Sequence, residues 1–237
     1  MILAIPLLLI FTTALVFRYA STAFGKEKGY LVGFGFYWLF WCVLIPCLLV
    51  GKLDLTGLLT NRLSLFKLQN WPAALLWILI TAVTMIMYGK SFVKASLTLI
   101  LLAIPLAVVN GFCEEMLWRG VYVQTFTNNF WLGVLYPAVG FALWHLVPQS
   151  VFPAENKLAF IISTLFLGVA YGFIAYRTGS ALWTAISHSV NGILATSGMV
   201  APSILKLMRR RPGHLPGSLD GRQPPFRSKH AGNDHFR

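Results

Sequence analysis

Charged residues are scarce in this chain. Only 11% of its 237 residues are Asp, Glu, Lys or Arg, whereas a soluble domain has about 25%. Cysteine is scarce too: the three present lie in apolar runs, which excludes both a disulfide framework and a zinc-type spacing. No internal repeat and no separate soluble domain is visible. The whole chain is 57% hydrophobic with a mean hydropathy of +0.70, which indicates an integral membrane protein.

Charge-free runs divide the chain into segments that are mostly long enough to cross a bilayer, for which a helix needs about 17–25 apolar residues. The fold class is therefore predicted to be all-α, a polytopic transmembrane helical bundle of about seven spans. No positive residue precedes the first run, as one would in a secretory signal, so this run is also predicted to be a span. The runs are residues 1–17, 31–51, 68–89, 95–113, 120–154, 158–176 and 178–205.

Basic residues are concentrated at the C-terminal end. Eight of the 19 Lys and Arg residues lie in residues 206–237, a segment rich in Pro, Gly and polar residues that is predicted to be a disordered tail. Residues 1–205 form the predicted transmembrane domain. The positive-inside rule places the tail in the cytoplasm and the N-terminus outside. The run of three arginines at 209–211 suits anionic lipid headgroups; no aromatic platform accompanies it, which argues against a nucleic-acid partner.

Glycine and proline spacings predict local features of the bundle. A Gly-x-x-x-Gly lies at 168–172 in the sixth run and another at 29–33 at the start of the second. This spacing lets helix backbones approach closely, so both are predicted to be packing contacts. Pro72 suits the first turn of a helix, which predicts that the third span begins beside it.

Two adjacent glutamates and an arginine interrupt the apolar sequence. Glu114, Glu115 and Arg119 lie between the charge-free residues 95–113 and 120–154. A charge at membrane depth costs about 2.5–3.5 kcal/mol on insertion scales, and such residues are functional candidates by default. On a helix, Glu115 and Arg119 are four residues apart and share a face, which predicts an ion pair. Glu114 lies about 100° round the helix from Glu115, so it has no such basic partner. It is predicted to be the residue that acts as a base.

Further polar residues lie in later runs. His145 is near the end of the fifth, and His188 is followed three residues later by Asn191 in the seventh. Glutamate and histidine suit either proton transfer to water or metal ligation. The residues alone leave three alternatives: an enzyme that activates water, a proton-coupled transporter, or a scaffold in which the cluster only specifies helix packing. Against the transporter, the chain shows no matching halves.

The order and spacing of these residues resemble those of a known family. The chain has Glu-Glu-x-x-x-Arg at 114–119, Phe-x-x-x-His at 141–145 and a late intramembrane histidine followed by asparagine at 188–191. Together these motifs resemble the CPBP intramembrane proteases, which include type II CAAX prenyl proteases and bacterial Abi proteins. The resemblance covers about residues 100–197. In many relatives the asparagine comes four residues after the histidine, where this chain has Gly192.

The resemblance implies hydrolysis of a peptide bond within the membrane. By position, Glu114 activates the water with help from His145. His188 and Asn191 stabilise the tetrahedral oxyanion, which is usually a large share of such catalysis. The site is held by the remaining pair, Glu115 and Arg119.

No cofactor is favoured. His-Glu-x-x-His, the strongest sequence signature of a zinc protease, is not present in the chain. If zinc is bound, Glu114, His145 and His188 are the ligands, with water in the fourth position; the glutamic type is preferred to the metalloprotease type. The expected partners are a membrane protein or peptide substrate and the lipid bilayer, with no nucleic acid. Short loops and the lack of a retention signal suit a bacterial inner membrane.

Overall fold

The computed structural model describes residues 2–49, 55–60 and 64–209. All regular secondary structure in these ranges is helical, without strands, which confirms the all-α class. Backbone polar groups in lipid must be satisfied within the chain, and a helix satisfies them within one segment. The helices are α1 (Ile2–Phe24), α2 (Lys26–Leu49), α3 (Leu55–Leu59), α4 (Leu68–Val93), α5 (Leu97–Thr125), α6 (Trp131–Gln149), α7 (Lys157–Thr178) and α8 (Leu182–Arg209).

Six of these helices, α1, α2 and α4–α7, are long and apolar enough to cross a membrane. They correspond to the first six predicted runs. The seventh predicted run is helical as well, since α8 has 28 residues, but its assignment as a span stays a prediction. The predicted domain boundary at residue 205 falls inside α8. The remainder of the predicted tail, residues 210–237, lies outside the described residues.

Helix ends follow local signals in the sequence. Pro72 lies in the first α-helical turn of α4, as predicted. The side chain of Ser96 caps α5 by accepting a hydrogen bond from the backbone N–H of Leu99 at 3.3 Å, which satisfies one of the free N–H groups at the helix start. Gly179 ends α7 with a left-handed backbone conformation, φ 72°, which glycine adopts without steric cost.

Both predicted glycine pairs are packing contacts. On α7, an added Cβ at Gly172 would lie 2.7 Å from Cγ1 of Val134, and one at Gly168 would lie 3.2 Å from Ala138. These distances leave no room for a side chain between α7 and α6. The pair at 29–33 packs against α1 in the same way. The predicted close approach of the helices is thus confirmed at both places.

The contact that positions the candidate site is between α5 and α8. A Cβ added at Gly111 of α5 would lie 2.5 Å from Oγ and 2.8 Å from the backbone N of Ser189. One turn away, a Cβ at Gly192 would lie 3.1 Å from Cβ of Ala107. The backbones of α5 and α8 are therefore in contact at Gly111, three residues before Glu114 in the sequence. This contact also gives a reason for the glycine at 192: a larger side chain there would push α5 away.

Gly111→Ala is expected to lower the free energy of unfolding by about 1–3 kcal/mol, the usual cost of overpacking a core. The new methyl group would meet the backbone of Ser189, which cannot rotate away. The measurement is reversible denaturation of the purified protein in mixed detergent micelles. Gly89→Ala is the matched control, because its Cβ would meet only Cγ of Met85 at 4.0 Å. Equal stability of the two variants would contradict the close contact.

Candidate active site

Glu114, Glu115 and Arg119 are buried inside the bundle, Glu114 being 2% exposed. Arg119 Nη1 lies 3.0 Å from Glu115 Oε1, so the contact expected from the spacing is present. A π-helical turn at Met116–Val121 directly follows the two glutamates. Such turns are rare, and they occur frequently at functional sites.

His188 of α8 lies between the two glutamates. Its Nδ1 is 2.9 Å from Glu115 Oε1 and its Nε2 is 3.6 Å from Glu114 Oε2. The prediction that Glu114 lacks a basic neighbour therefore holds only within its own helix. A second helix supplies the neighbour. The contact that brings it there is the close approach of α5 and α8 at Gly111, described above.

The charges of this cluster balance when His188 is protonated. Two carboxylates and one guanidinium leave one negative charge, and an imidazolium cancels it. Buried charges are tolerated when each has a partner, and here a shared oxygen, Glu115 Oε1, contacts both Arg119 and His188. Arg119 also lies over the ring of Phe141, 4.3 Å from its centroid, a favourable cation–π arrangement.

His145 is oriented by its own helix. Its Nδ1 lies 2.8 Å from the backbone carbonyl oxygen of Phe141. Because a carbonyl oxygen only accepts, Nδ1 carries the proton, and the neutral ring has its lone pair on Nε2. The ring packs between those of Phe141 and Trp144, at centroid distances of 4.5 and 4.8 Å. Phe141 thus contacts both His145 and Arg119, a structural role for the phenylalanine of the motif that the sequence did not reveal.

Asn191 is held by residues that sequence reasoning missed. Its Nδ2 donates to the hydroxyl of Tyr171 at 3.0 Å and lies 3.3 Å from Oγ of Ser187. Its Oδ1 is buried without a hydrogen-bond partner among the described residues. In the sequence, Tyr171 and Ser187 are visible only as polar side chains in apolar runs. Such residues are common packing groups, so they did not indicate a contact with Asn191.

Two cavities adjoin the cluster. One, of about 400 Å³, is lined by Glu114 and His145; the other, of about 360 Å³, is lined by His145, His188 and Asn191. Phe160 lines both. The four candidate catalytic residues are thus distributed over two neighbouring cavities, with His145 lining both.

The three residues named above as zinc ligands, Glu114, His145 and His188, do not form a metal-binding group. In the part of the chain that the structure describes, no three His, Cys, Asp or Glu side chains are grouped closely enough to hold one metal ion. Glu114 and His188 are neighbours, but His145 does not complete a set with them.

A comparison with family models identifies the domain that carries this cluster. Residues 96–194, about two fifths of the chain, match the family described as type II CAAX prenyl endopeptidase Rce1-like. This match confirms the resemblance derived from the motifs, and every candidate residue lies within it. Searches of curated proteins and of solved structures found no match.

Proposed function

We propose that this helical membrane protein, which carries a type II CAAX prenyl endopeptidase Rce1-like domain at residues 96–194, cleaves a peptide bond of a membrane-associated or lipid-modified protein. Membership in that family implies a peptidase and a protein substrate. The observation that carries the proposal is the position of His188 between the carboxylates of Glu114 and Glu115, beside two cavities.

In the proposed reaction, Glu114 accepts a proton from water while the oxygen bonds to the scissile carbonyl carbon. The carbonyl π bond breaks and its electrons form the oxyanion. The oxyanion electrons then re-form the carbonyl π bond as the C–N bond breaks, and the proton passes from Glu114 to the leaving amine nitrogen. The Nε2 lone pair of His145 supports this proposal, because it provides an acceptor that helps to hold the water in the cavity that Glu114 also lines.

The second cavity is proposed to hold the oxyanion. A protonated His188 has an Nε2–H to donate, and Asn191 lines the same cavity. A half-turn of the Asn191 amide would let Oδ1 accept from the hydroxyl of Tyr171 and would free Nδ2 as a donor. Preorganised donors of this kind are usually a large contribution to acyl-transfer catalysis.

Asn191→Ala is expected to lower turnover by about 10²–10³-fold, the effect of removing one oxyanion donor, with little change in substrate binding. The measurement is kcat and KM for a cleaved peptide. Ser189→Ala is the control on the same helix: its hydroxyl bonds only to the carbonyl oxygen of Ala185 among the contacts described. Parent-like turnover of Asn191→Ala would transfer the oxyanion role to His188 or to a backbone N–H.

The proposal is tested with the purified protein in liposomes and a synthetic peptide ending in farnesyl-Cys-aliphatic-aliphatic-X, the prenylated C-terminal pattern. Mass spectrometry would detect a new C-terminus, with Glu114→Gln as the inactive comparison. In cells, the same variant should accumulate uncut membrane proteins. Absence of both cleavage and accumulation would refute the protease.

The glutamic mechanism is proposed in preference to a metal-dependent one, because the described donor residues are not grouped for a metal. Cleavage is therefore expected to survive treatment with a zinc chelator. The proposed location is a bacterial inner membrane. The basic residues at 206–237 support a cytoplasmic C-terminus.

A further inference from the structure

One buried side chain in the Glu114 cavity has no use in the reaction described so far. Gln149, at the end of α6, is 6% exposed, and it lines that cavity. Neither Nε2 nor Oε1 has a hydrogen-bond partner among the described residues. Buried polar groups are nearly always hydrogen-bonded, so an amide with both ends unpaired requires an explanation.

Two other polar side chains of the same cavity have hydrogen-bond partners. Asn110 accepts a hydrogen bond from Nε1 of Trp38 at 3.0 Å, and His145 donates to a backbone carbonyl. Trp144 lines the cavity as well, and its buried Nε1 has no partner among the described residues. The cavity wall therefore includes two side chains with unpaired buried polar groups, five residues apart on α6: the amide of Gln149 and the indole N–H of Trp144.

A carboxamide matches one kind of ligand particularly well. It has one acceptor oxygen and two N–H donors, the complement of the C=O and N–H of a peptide main chain. Main-chain groups at membrane depth find no bulk water, so the protein must satisfy them. Many peptide-binding proteins do this with the edge of a sheet, but the described part of this chain has no strands. A side-chain amide can supply these hydrogen bonds instead.

We propose that Gln149 binds the main chain of the substrate on the Glu114 side of the scissile bond, with Trp144 as an additional donor. This inference rests on the proposed function, and it extends that function to how the substrate is held. Gln149 lies one helical turn after His145, which lines both cavities, so a peptide bound there continues past the reacting carbonyl. Gln149 is a substrate-binding residue, and it takes no part in proton transfer.

The test uses the full-length protein in liposomes, the farnesylated peptide, and three versions of it N-methylated in turn at each residue after the cysteine. Gln149→Met keeps length and removes both polar groups. KM for the unmodified peptide should rise roughly 3- to 10-fold with kcat nearly unchanged, as for the loss of a neutral hydrogen bond used in binding alone. One N-methylated peptide should bind poorly to the parent, and that penalty should vanish in the variant.

The thermal stability of Gln149→Met distinguishes a substrate-binding role of Gln149 from a structural one. Since the two polar atoms of Gln149 are unpaired in the free protein, Gln149→Met should unfold at the same temperature as the parent or a higher one. Gln124→Met is the matched control: its Nε2 is likewise buried and unpaired, but it does not line either cavity described. Its KM should equal that of the parent.

Each outcome decides the proposal. Parent-like KM and an unchanged N-methyl penalty in Gln149→Met would overturn it while cleavage continues, and would indicate that the amide binds only water. If the parent cleaves nothing, the protease proposal fails separately, and binding of the peptide is then measured by fluorescence anisotropy. Weaker binding to Gln149→Met would support the peptide site; equal binding, or none to the parent, would overturn it.

Discussion

Glu114→Gln is expected to reduce turnover by about 10²–10⁴-fold, the usual contribution of a positioned general base. The substitution keeps the shape of the side chain and removes its ability to take a proton from water. Glu114 is 2% exposed and lies in the wall of a cavity, so bulk solvent does not readily replace it. The measurement is single-turnover cleavage of the farnesylated peptide by protein in liposomes.

This variant is expected to remain folded. With the Glu114 charge gone, the Glu115–Arg119 pair stays intact, and His188 keeps its hydrogen bond to Glu115 as a neutral ring. Size-exclusion profile and thermal midpoint should therefore match the parent. Glu27→Gln is the control, because it makes the same change at an exposed position. Full activity in Glu114→Gln would end the assignment of Glu114 as the base.

Glu115→Gln is expected to act mainly on stability, lowering the free energy of unfolding by about 3–5 kcal/mol, the cost of removing one partner of a buried ion pair. One oxygen, Oε1, contacts Arg119 at 3.0 Å and His188 at 2.9 Å. The neutral amide would leave the guanidinium without its charge partner in a low-dielectric interior. The measurement is reversible denaturation in mixed micelles.

A double variant distinguishes an unpaired charge from a general loss of packing. Glu115→Gln combined with Arg119→Met removes both charges and should recover much of the lost stability, because replacing a buried pair by uncharged groups is often neutral. The double variant should still be less active, since His188 loses an ionic anchor. If Glu115→Gln alone is as stable as the parent, the pair does not hold the site.

Contacts within one helix were the most predictable part of the site. The spacing of Glu115 and Arg119 predicted their contact because residues four apart lie on one face of a helix. The same regularity located the apolar runs, and the Gly-x-x-x-Gly pairs predicted where backbones approach. The periodic geometry of a single helix requires no knowledge of its neighbours.

Contacts between helices were not predictable from the same information. His188 is 73 residues from Glu115 in sequence, and no periodicity relates them. The sequence identified His188 as a candidate, but not that it lies between both glutamates. It likewise missed the bond from Asn191 to Tyr171 and the unpaired amide of Gln149.

The amino-acid sequence by itself thus determined the helical class, the positions of the apolar runs and the identity of the polar residues inside them, because these depend on local hydrophobicity and helix geometry. Tertiary structure decided which polar residues meet. The rotation and depth of α8 against α5 are set by the backbone contact at Gly111 and Gly192. That contact is a matter of steric fit between two helices, so only their packing could bring His188 to the glutamates.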